Sequence, residues 1–282
     1  MSSGIRARIL REPDRAQAVE FLCLDADQNL ILLDFVDKLG RVPGQGEMPP
    51  QIHGAFDGDR LLGLALLRPC VALSWGVPDR VLEALLPHLL RVPSGLMKGE
   101  CRPVARTWQA LEALGRRSTI DRIEIAFRLT PDRIVAAEPA LPGVARAARP
   151  EDLEELVYAA RASLREEDRP DPAAGDPIGF RRWVESRLSH ARIVSDQGHM
   201  VFVAYADVCR PEGWLIQGVY TWPEARRRGF ARRGMDSMVR EAFASGASHV
   251  QLAVVEGNRR ASALYCELGF EKFAELRTIL FG

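Results

Sequence analysis

One order of predicted helices and strands occurs twice along this chain of 282 residues, and this repetition limits the folds available to it. Hydrophobic periodicity predicts a strand, two helices, three strands, a helix, a strand, a helix and a strand in each half. The first series includes a hairpin over 51–67 whose turn is Asp57-Gly58-Asp59. The halves show no evident sequence identity, so a chance match of elements is the alternative. The pattern predicts an α/β protein of two similar domains, each a mixed, largely antiparallel sheet flanked by helices.

The boundary between the two series is predicted from composition. Residues 135–144 carry two prolines and a glycine among small residues, which is typical of a linker. We therefore expect an N-terminal domain over 1–133, a linker over 134–143 and a C-terminal domain over 144–282.

Charge and cysteine content exclude several classes of protein. The 38 acidic and 38 basic residues balance, so no global field favours nucleic acid or a membrane surface. The five cysteines and five histidines show none of the spacings of a disulfide framework or a zinc site. The N-terminal stretch has no signal-peptide core, and no apolar run reaches the ~18 residues of a membrane helix. The expectation is a soluble, cytoplasmic protein without a metal.

The most informative segment runs from Gly218 to Gly234. It contains Arg226-x-x-Gly229-x-Ala231 at the start of a helix predicted over 226–244, with five arginines within eight residues. Free backbone N–H groups and the helix dipole make such a start an anion site, and small residues let a ligand approach the backbone. A pyrophosphate fits this pattern, although a solvated basic helix start is the simpler alternative.

A second motif follows at Asn258 and ends at Phe270. It reads N-x-x-A-x-x-L-Y-x-x-L-G-F, and Ala261, Leu264 and Leu268 fall on one helical face. Asn258 stands where a helix N-cap is expected. Tyr265 lies near the apolar face, where an ordinary packing role is the alternative to a chemical one.

Together the two motifs resemble those of the GNAT family of N-acetyltransferases, over roughly residues 143–282. The resemblance implies acetyl-CoA as co-substrate, no metal, and Tyr265 as the acid that protonates the departing CoA thiolate. It also implies that the cofactor contacts the strand residues and the loop. These residues are Val219, Tyr220, Thr221, Arg226, Arg227, Arg228, Gly229, Phe230, Ala231, Arg232 and Asn258.

The resemblance implies direct attack of a neutral amine on the thioester, with backbone N–H groups of the fourth strand stabilising the oxyanion. The acceptor would be a small-molecule or peptide amine. The general base stays open, because Gln217 stands where many relatives carry a glutamate. Water or a carboxylate could serve, and the carboxylate candidates are Glu166, Glu167, Asp168 and Glu256. Cys266 as a nucleophile is disfavoured, since no histidine is near it in sequence.

The first half lacks both motifs and resembles a degenerate second copy, as in tandem GNAT proteins. We expect it to wall the acceptor cleft or to bind a partner. A non-catalytic acyl-CoA sensor or pseudoenzyme is the alternative function for the chain. An aminoacyl-tRNA-dependent transferase is disfavoured by the intact CoA loop, and nucleic-acid binding is a distant third. The oligomeric state cannot be read from the sequence.

Overall fold

The computed structural model describes residues 4–44, 47–135 and 145–282. The strands are β1 (Arg6–Ile9), β2 (Gln51–Asp57), β3 (Arg60–Arg68), β4 (Ala72–Leu73), β5 (Gly95–Glu100), β6 (Ser118–Leu129), β7 (Arg146–Ala147), β8 (Ala191–Asp196), β9 (His199–Arg210), β10 (Gly213–Thr221), β11 (Val250–Val255) and β12 (Glu271–Phe281). The α-helices are α1 (Arg15–Cys23), α2 (Ala26–Asp37), α3 (Asp79–Leu89), α4 (Cys101–Ala113), α5 (Leu153–Glu166), α6 (Pro177–Ser186), α7 (Phe230–Ala244) and α8 (Arg259–Glu267).

The repeated order of elements is confirmed. Strands β1–β6 and helices α1–α4 occur in the same order as β7–β12 and α5–α8. The hairpin of β2 and β3 turns at Gly58, whose φ of 59° lies in the left-handed region that favours glycine. The predicted linker falls mostly on residues 136–144, which lie outside the described residues.

Two sheets carry the fold. The first has the order β1-β2-β3-β4, and the second has the order β5-β12-β6-β11-β10-β9-β8-β7. A parallel bridge between Val71 and Met97 joins the end of one sheet to the start of the other. The α/β architecture with mixed, largely antiparallel sheets is therefore as expected.

The last strand of each half lies beside strands of the other half. β6 of the first half pairs antiparallel with β11 along the whole of 250–255, and β12 pairs antiparallel with both β6 and β5. β6 and β12 thus stand next to each other inside the large sheet, as its second and third strands. This exchange joins the two halves through backbone hydrogen bonds, and the order of elements alone did not predict it.

The hydrophobic cores follow the same exchange. Phe127 and Leu129 of β6 are buried in the hydrophobic core of the second half, which includes residues of α5–α8. In return, Ile279 and Phe281 of β12 are buried in a core of the first half, where the rings of Phe281 and Trp108 lie 5.8 Å apart. Each half therefore supplies apolar surface that completes the packing of the other.

Helix α7 begins at Phe230, four residues after the predicted start at Arg226. Arg227 has a φ of 62° and Gly229 a φ of 79°, and these left-handed residues are incompatible with a continuous right-handed helix. The arginine-rich segment therefore forms a loop and only the first turn of the helix. No helix in the described ranges is long and apolar enough to cross a membrane.

Candidate active site

Strands β10 and β11 separate at the centre of the large sheet. They pair in parallel only where Trp214 lies beside Val250 and Leu215 beside Gln251. Beyond these pairs, β10 keeps β9 as its neighbour as far as Thr221, while β11 keeps β6 as far as Val255. The facing edges of β10 and β11 therefore leave a wedge-shaped opening, which we call the cleft, in which backbone groups can pair with an extended ligand.

A β-bulge marks β10 at the cleft. The register with β9 shifts between Gln217 and Tyr220, and Gly218 has a φ of 59°. A Cβ atom at Gly218 would lie 3.0 Å from Cδ2 of Tyr205, so both backbone conformation and space favour glycine. Of the three predicted cofactor-binding residues of this strand, Val219 lies in the bulge, and Tyr220 and Thr221 follow it.

A cradle of backbone donors lies at the end of the same strand. The N–H groups of the five residues from Arg227 to Ala231 have no acceptor among the described residues. Three of these residues precede α7 and two form its first turn, where the positive end of the helix dipole adds to their potential. The segment can therefore bind an anion through its backbone, as the predicted pyrophosphate site requires.

The arginine side chains play different roles in this cradle. Arg226 donates to both oxygens of Glu166, at 2.6 and 2.8 Å, and Arg228 donates to Oδ2 of Asp196 at 2.7 Å. Arg227 is exposed and its side chain has no partner among the described residues. The ion pairs of Arg226 and Arg228 hold the loop in place, so the backbone and Arg227 are the groups most available to a ligand.

The remaining predicted cofactor-binding residues of this segment, Phe230, Ala231 and Arg232, lie in the first turn of α7. Phe230 is buried, and the guanidinium carbons of Arg228 and Arg233 lie 4.9 and 4.4 Å from its ring centroid. Ala231 and Arg232 are half-buried. Arg233 also donates to the carbonyl of Arg228 at 3.1 Å, which leaves this arginine a structural role beneath the loop.

The Asn258 motif forms the start of α8. The Oδ1 atom of Asn258 accepts the N–H of Ala261 at 3.2 Å, which confirms the predicted N-cap. A cofactor contact by this residue stays a prediction. The exposed Cys266 lies on the same helix, and no acid or histidine among the described residues is in hydrogen-bond contact with it.

Tyr265 lies inside the hydrophobic core of the second half. Its residue surface is 4 % exposed, and its ring centroid lies 6.1 Å from that of Phe127 and 5.7 Å from that of Phe270. Burial raises the pKa of its hydroxyl well above the ordinary value of 10. The phenol therefore stays protonated at neutral pH, which suits a proton donor.

Two of the four carboxylate candidates for a general base, Glu166 and Glu167, are engaged in ion pairs. Glu166 binds Arg226, and Tyr220 approaches it with an O–O distance of 3.5 Å. Oε2 of Glu167 accepts from Nη2 of Arg122 at 2.8 Å. Asp168 is exposed in the same loop with a φ of 53°.

Glu256 lies elsewhere, in a second opening. It is exposed at the end of β11 and lines a cavity of about 570 Å³ beneath the start of α8, together with Lys272 and Phe273 of β12. Its side chain has no partner in the described part of the chain. Glu166, Glu167 and Asp168 thus lie at the C-terminal end of α5, whereas Glu256 follows β11, where its N–H donates to the carbonyl of Ile123 in β6 at 2.9 Å.

A charged cluster from the first half adjoins the Glu166–Asp168 loop. Glu124 of β6 is 5 % exposed, accepts from Nζ of Lys98 at 2.6 Å and pairs with Nε of Arg122 at 3.1 Å. Despite the opposing effect of burial, these cations lower the pKa of Glu124 to about 2. Sequence reasoning missed this cluster, although charged residues at 122 and 124 of a predicted strand were the available signal.

Arg169 completes the surroundings of this loop. It is half-buried, and its guanidinium has no hydrogen bond or ion pair with any described residue. Burial lowers its pKa, and the charge of Arg122 acts in the same direction. A guanidinium in this state can receive an anionic group of an acceptor.

The equivalent region of the first half is already occupied. The N–H of Gly76 donates to Oε2 of Glu100 at 2.9 Å, and the N–H of Trp75 donates to Oδ1 of Asn29 at 2.9 Å. Asp79, at the start of α3, pairs with Arg106 at 2.7 Å. One carboxylate and one amide of the first half thus accept backbone N–H groups that follow β4, which fits a copy without CoA chemistry.

Comparison with known proteins identifies the second half. Residues 154–270 match the family model described as the acetyltransferase (GNAT) family. No curated protein sequence matches the chain at a significant level.

Solved structures share the fold of nearly the whole chain. A Drosophila protein has a TM-score of 0.71 at 15% identity, covering 98% of this chain and 99% of its own. A GCN5-related N-acetyltransferase from Sphaerobacter thermophilus has a TM-score of 0.59 at 17% identity, covering 98% and 94%. A tandem GNAT protein from the clavulanic acid biosynthesis pathway has a TM-score of 0.55 at 15% identity, covering 98% and 97%. The chain therefore shares the two-part fold of these structures, a tandem GNAT protein among them, and its residues 154–270 match the model of the acetyltransferase (GNAT) family.

Proposed function

We propose that this protein transfers an acetyl group from acetyl-CoA to the amine of a small molecule or peptide, by direct attack. The observation that carries the proposal is the cradle of five backbone N–H groups from Arg227 to Ala231, at the end of a strand that borders an open cleft. A pyrophosphate on the cradle would place the rest of a CoA molecule along β10. Its extended arm would then pair with the backbone of Val219–Thr221, as an added strand does.

The reaction would proceed in one acyl-transfer step. The amine nitrogen attacks the thioester carbonyl, and backbone N–H groups of the bulged β10 stabilise the oxyanion. The carbon–sulfur bond then breaks, and the buried hydroxyl of Tyr265 donates its proton to the CoA thiolate. The proton of the attacking amine leaves to water, since Glu166 and Glu167 are engaged in ion pairs with arginines and Asp168 and Glu256 are exposed surface acids.

Calorimetric titration with acetyl-CoA tests the proposal. We expect micromolar binding that is lost in Gly229→Glu, because a carboxylate would enter the cradle and the left-handed backbone would be strained. Gly246→Glu is the matched control, since Gly246 has a φ of 90° at the other end of α7. Absence of binding to any acyl-CoA, or equal loss in both variants, would contradict the proposed cradle.

A non-catalytic acyl-CoA sensor is the second candidate function. The observation that favours it is the commitment of Glu166 and Glu167 to ion pairs, which engages two of the three candidate bases of this loop. The two candidates separate on turnover. A transferase consumes acetyl-CoA in the presence of amine acceptors, whereas a sensor binds it and releases it unchanged.

A further inference from the structure

A cavity in the first half lies apart from the cleft. It has a volume of about 250 Å³ and opens between the start of β2, the end of β3 and the C-terminal end of α3. The segment that joins α3 to β5 closes it on the remaining side. Neither of the two motifs of the second half contributes to it, and the proposed transfer reaction does not use it.

The lining of this cavity is basic. It includes Arg68, Arg91, His53 and His88, and it includes no aspartate or glutamate, in a chain whose acidic and basic residues balance. Within the described ranges, neither Arg68 nor Arg91 has an ion pair or a side-chain hydrogen bond. The cavity therefore holds positive charge that no neighbouring carboxylate compensates.

Two stacked histidines form one wall. The rings of His53 and His88 lie 4.2 Å apart between centroids, at an interplanar angle of 30°. His53 is 6 % exposed, and its Nδ1 atom is buried without a hydrogen-bond partner. Burial, reinforced by the charges of His88 and Arg91, lowers the pKa of His53 to about 4. This imidazole is therefore neutral at pH 7.

The tautomer of His53 follows from its buried nitrogen. An unpaired buried N–H group is less tolerated than an unpaired acceptor, so Nδ1 carries the lone pair and Nε2 carries the proton. Nε2 is not among the buried atoms without a partner, so it is the nitrogen that a molecule in the cavity can reach. His53 thus presents an N–H donor beside the two arginines.

We infer that this cavity binds the phosphate group of a small organic phosphate ester, through the guanidinium groups of Arg68 and Arg91 and the imidazole of His53. Guanidinium forks match phosphate oxygens in a bidentate manner, and the imidazole N–H adds a third direction of donation. The apolar side chains of Leu67 and Val92 also line the cavity and provide surface for the organic part of the ester. Free phosphate would bind the same cationic groups but would make no contact with the apolar side chains of Leu67 and Val92.

Titration of the full-length protein with glycerol 3-phosphate, inorganic phosphate and glycerol tests the inference. The imidazole C–H proton resonances of His53 and His88 report on binding, with assignments from single histidine variants. We expect glycerol 3-phosphate to shift these resonances at lower concentrations than inorganic phosphate does, and glycerol to have no effect. Saturation with inorganic phosphate alone, or no shift with any probe, overturns the inference.

A matched pair of variants gives the quantitative test. Arg91→Gln removes one charged donor from the cavity and should weaken glycerol 3-phosphate binding by at least about ten-fold. Arg80→Gln makes the same change at an exposed position of α3, outside the lining of the cavity, and should leave binding within about two-fold. Equal weakening in both variants would show a general charge effect and overturn the site.

The test is independent of the proposed transferase function. Acetyl-CoA affinity should be the same in Arg91→Gln as in the unmodified protein, because the cradle lies on the second half of the chain. Loss of glycerol 3-phosphate binding with retained acetyl-CoA binding assigns the effect to this cavity. Parallel loss of both ligands would place the phosphate ester on the cradle instead and reject the second site.

Discussion

Glu167 and Arg122 form an ion pair between the two halves of the chain, with Oε2 and Nη2 2.8 Å apart. Arg122 belongs to β6 of the first half, whereas Glu167 follows α5 in the second half. The neighbouring Glu166 pairs with Arg226 of the cradle loop. Two consecutive carboxylates thus connect one loop to β6 on one side and to the cradle on the other.

Breaking the Glu167–Arg122 pair should weaken binding of the amine acceptor and have little effect on the free energy of unfolding. Their side chains are 38% and 18% exposed, so Glu167→Gln should cost no more than about 1 kcal/mol of unfolding free energy. The released loop should raise KM for the amine and leave the dissociation constant of acetyl-CoA unchanged. Steady-state kinetics and calorimetry measure the two constants. Glu154→Gln, which removes an exposed ion pair with Arg181 on α5, should change neither.

Removing the hydroxyl of Tyr265 should separate transfer from binding. Tyr265→Phe should lower kcat by about 10²-fold or more if the phenol protonates the thiolate. The dissociation constant of acetyl-CoA should stay within about two-fold, because the ring and its contacts with Phe127 and Phe270 remain. Unchanged turnover in Tyr265→Phe would remove this residue from the reaction. Tyr158→Phe, at an exposed position, is the control for the loss of a hydroxyl.

The raised pKa of Tyr265 also predicts how kcat depends on pH in the alkaline range. The folded phenol keeps its proton as pH rises through the ordinary value of 10, so Tyr265 should cause no loss of kcat below that pH. A pH profile of kcat between pH 7 and about 10 measures this. A loss that appears in the native enzyme and disappears in Tyr265→Phe would contradict the assignment.

Arg227 should contribute electrostatically to CoA binding. It is exposed and has no partner among the described residues, so Arg227→Gln should leave unfolding free energy unchanged. Acetyl-CoA affinity should fall by about three- to ten-fold, and the dependence on salt should weaken, because a positive charge near the phosphates is lost. Calorimetry at two ionic strengths measures both effects. Arg182→Gln, exposed on α6, should change neither the affinity nor its dependence on salt.

Glu124 should make the protein sensitive to acid. Its folded pKa of about 2 lies below the ordinary value of 4.5, so its stabilisation is complete above pH 4.5 and is lost as pH falls towards 2. The loss should amount to about 2–3 kcal/mol of unfolding free energy. Denaturant titrations between pH 6 and about 3 measure it. The decline should be smaller in Glu124→Gln, whereas Glu20→Gln, at an exposed position of α1, should decline like the native protein.

Phe127 should couple the stability of the halves. Its side chain is fully buried in the core of the second half although β6 precedes the predicted linker. Phe127→Ala should lower unfolding free energy by about 3–5 kcal/mol. Hydrogen exchange should quicken in both β11 and β12, because both strands pair with β6. Phe273→Ala, at a half-buried position of β12, should lower the free energy of unfolding by less than Phe127→Ala does. A smaller loss in Phe127→Ala than in Phe273→Ala would argue against the packing of β6 in the second half.

Local sequence predicted most of the fold's elements and both motifs. The period of apolar residues indicated each helix and strand in order. Asn258 indicated the start of α8, and its side chain accepts the N–H of Ala261 there. Helix boundaries were less accurate, and the start of α7 was predicted four residues too early. Helical spacing of apolar residues does not report the left-handed backbone of Arg227 and Gly229.

The sequence by itself determined the order of elements, the glycine and arginine loop, and the capped helix that carries Tyr265, because each depends on neighbours a few residues away. The tertiary structure alone decided that β6 lies between β11 and β12, and that Arg122 meets Glu167. Strand pairing joins residues more than a hundred positions apart, and hydrophobic alternation marks which face of a strand is buried but not which strand lies beside it. The charges around the cleft therefore became visible only once the sheet was assembled.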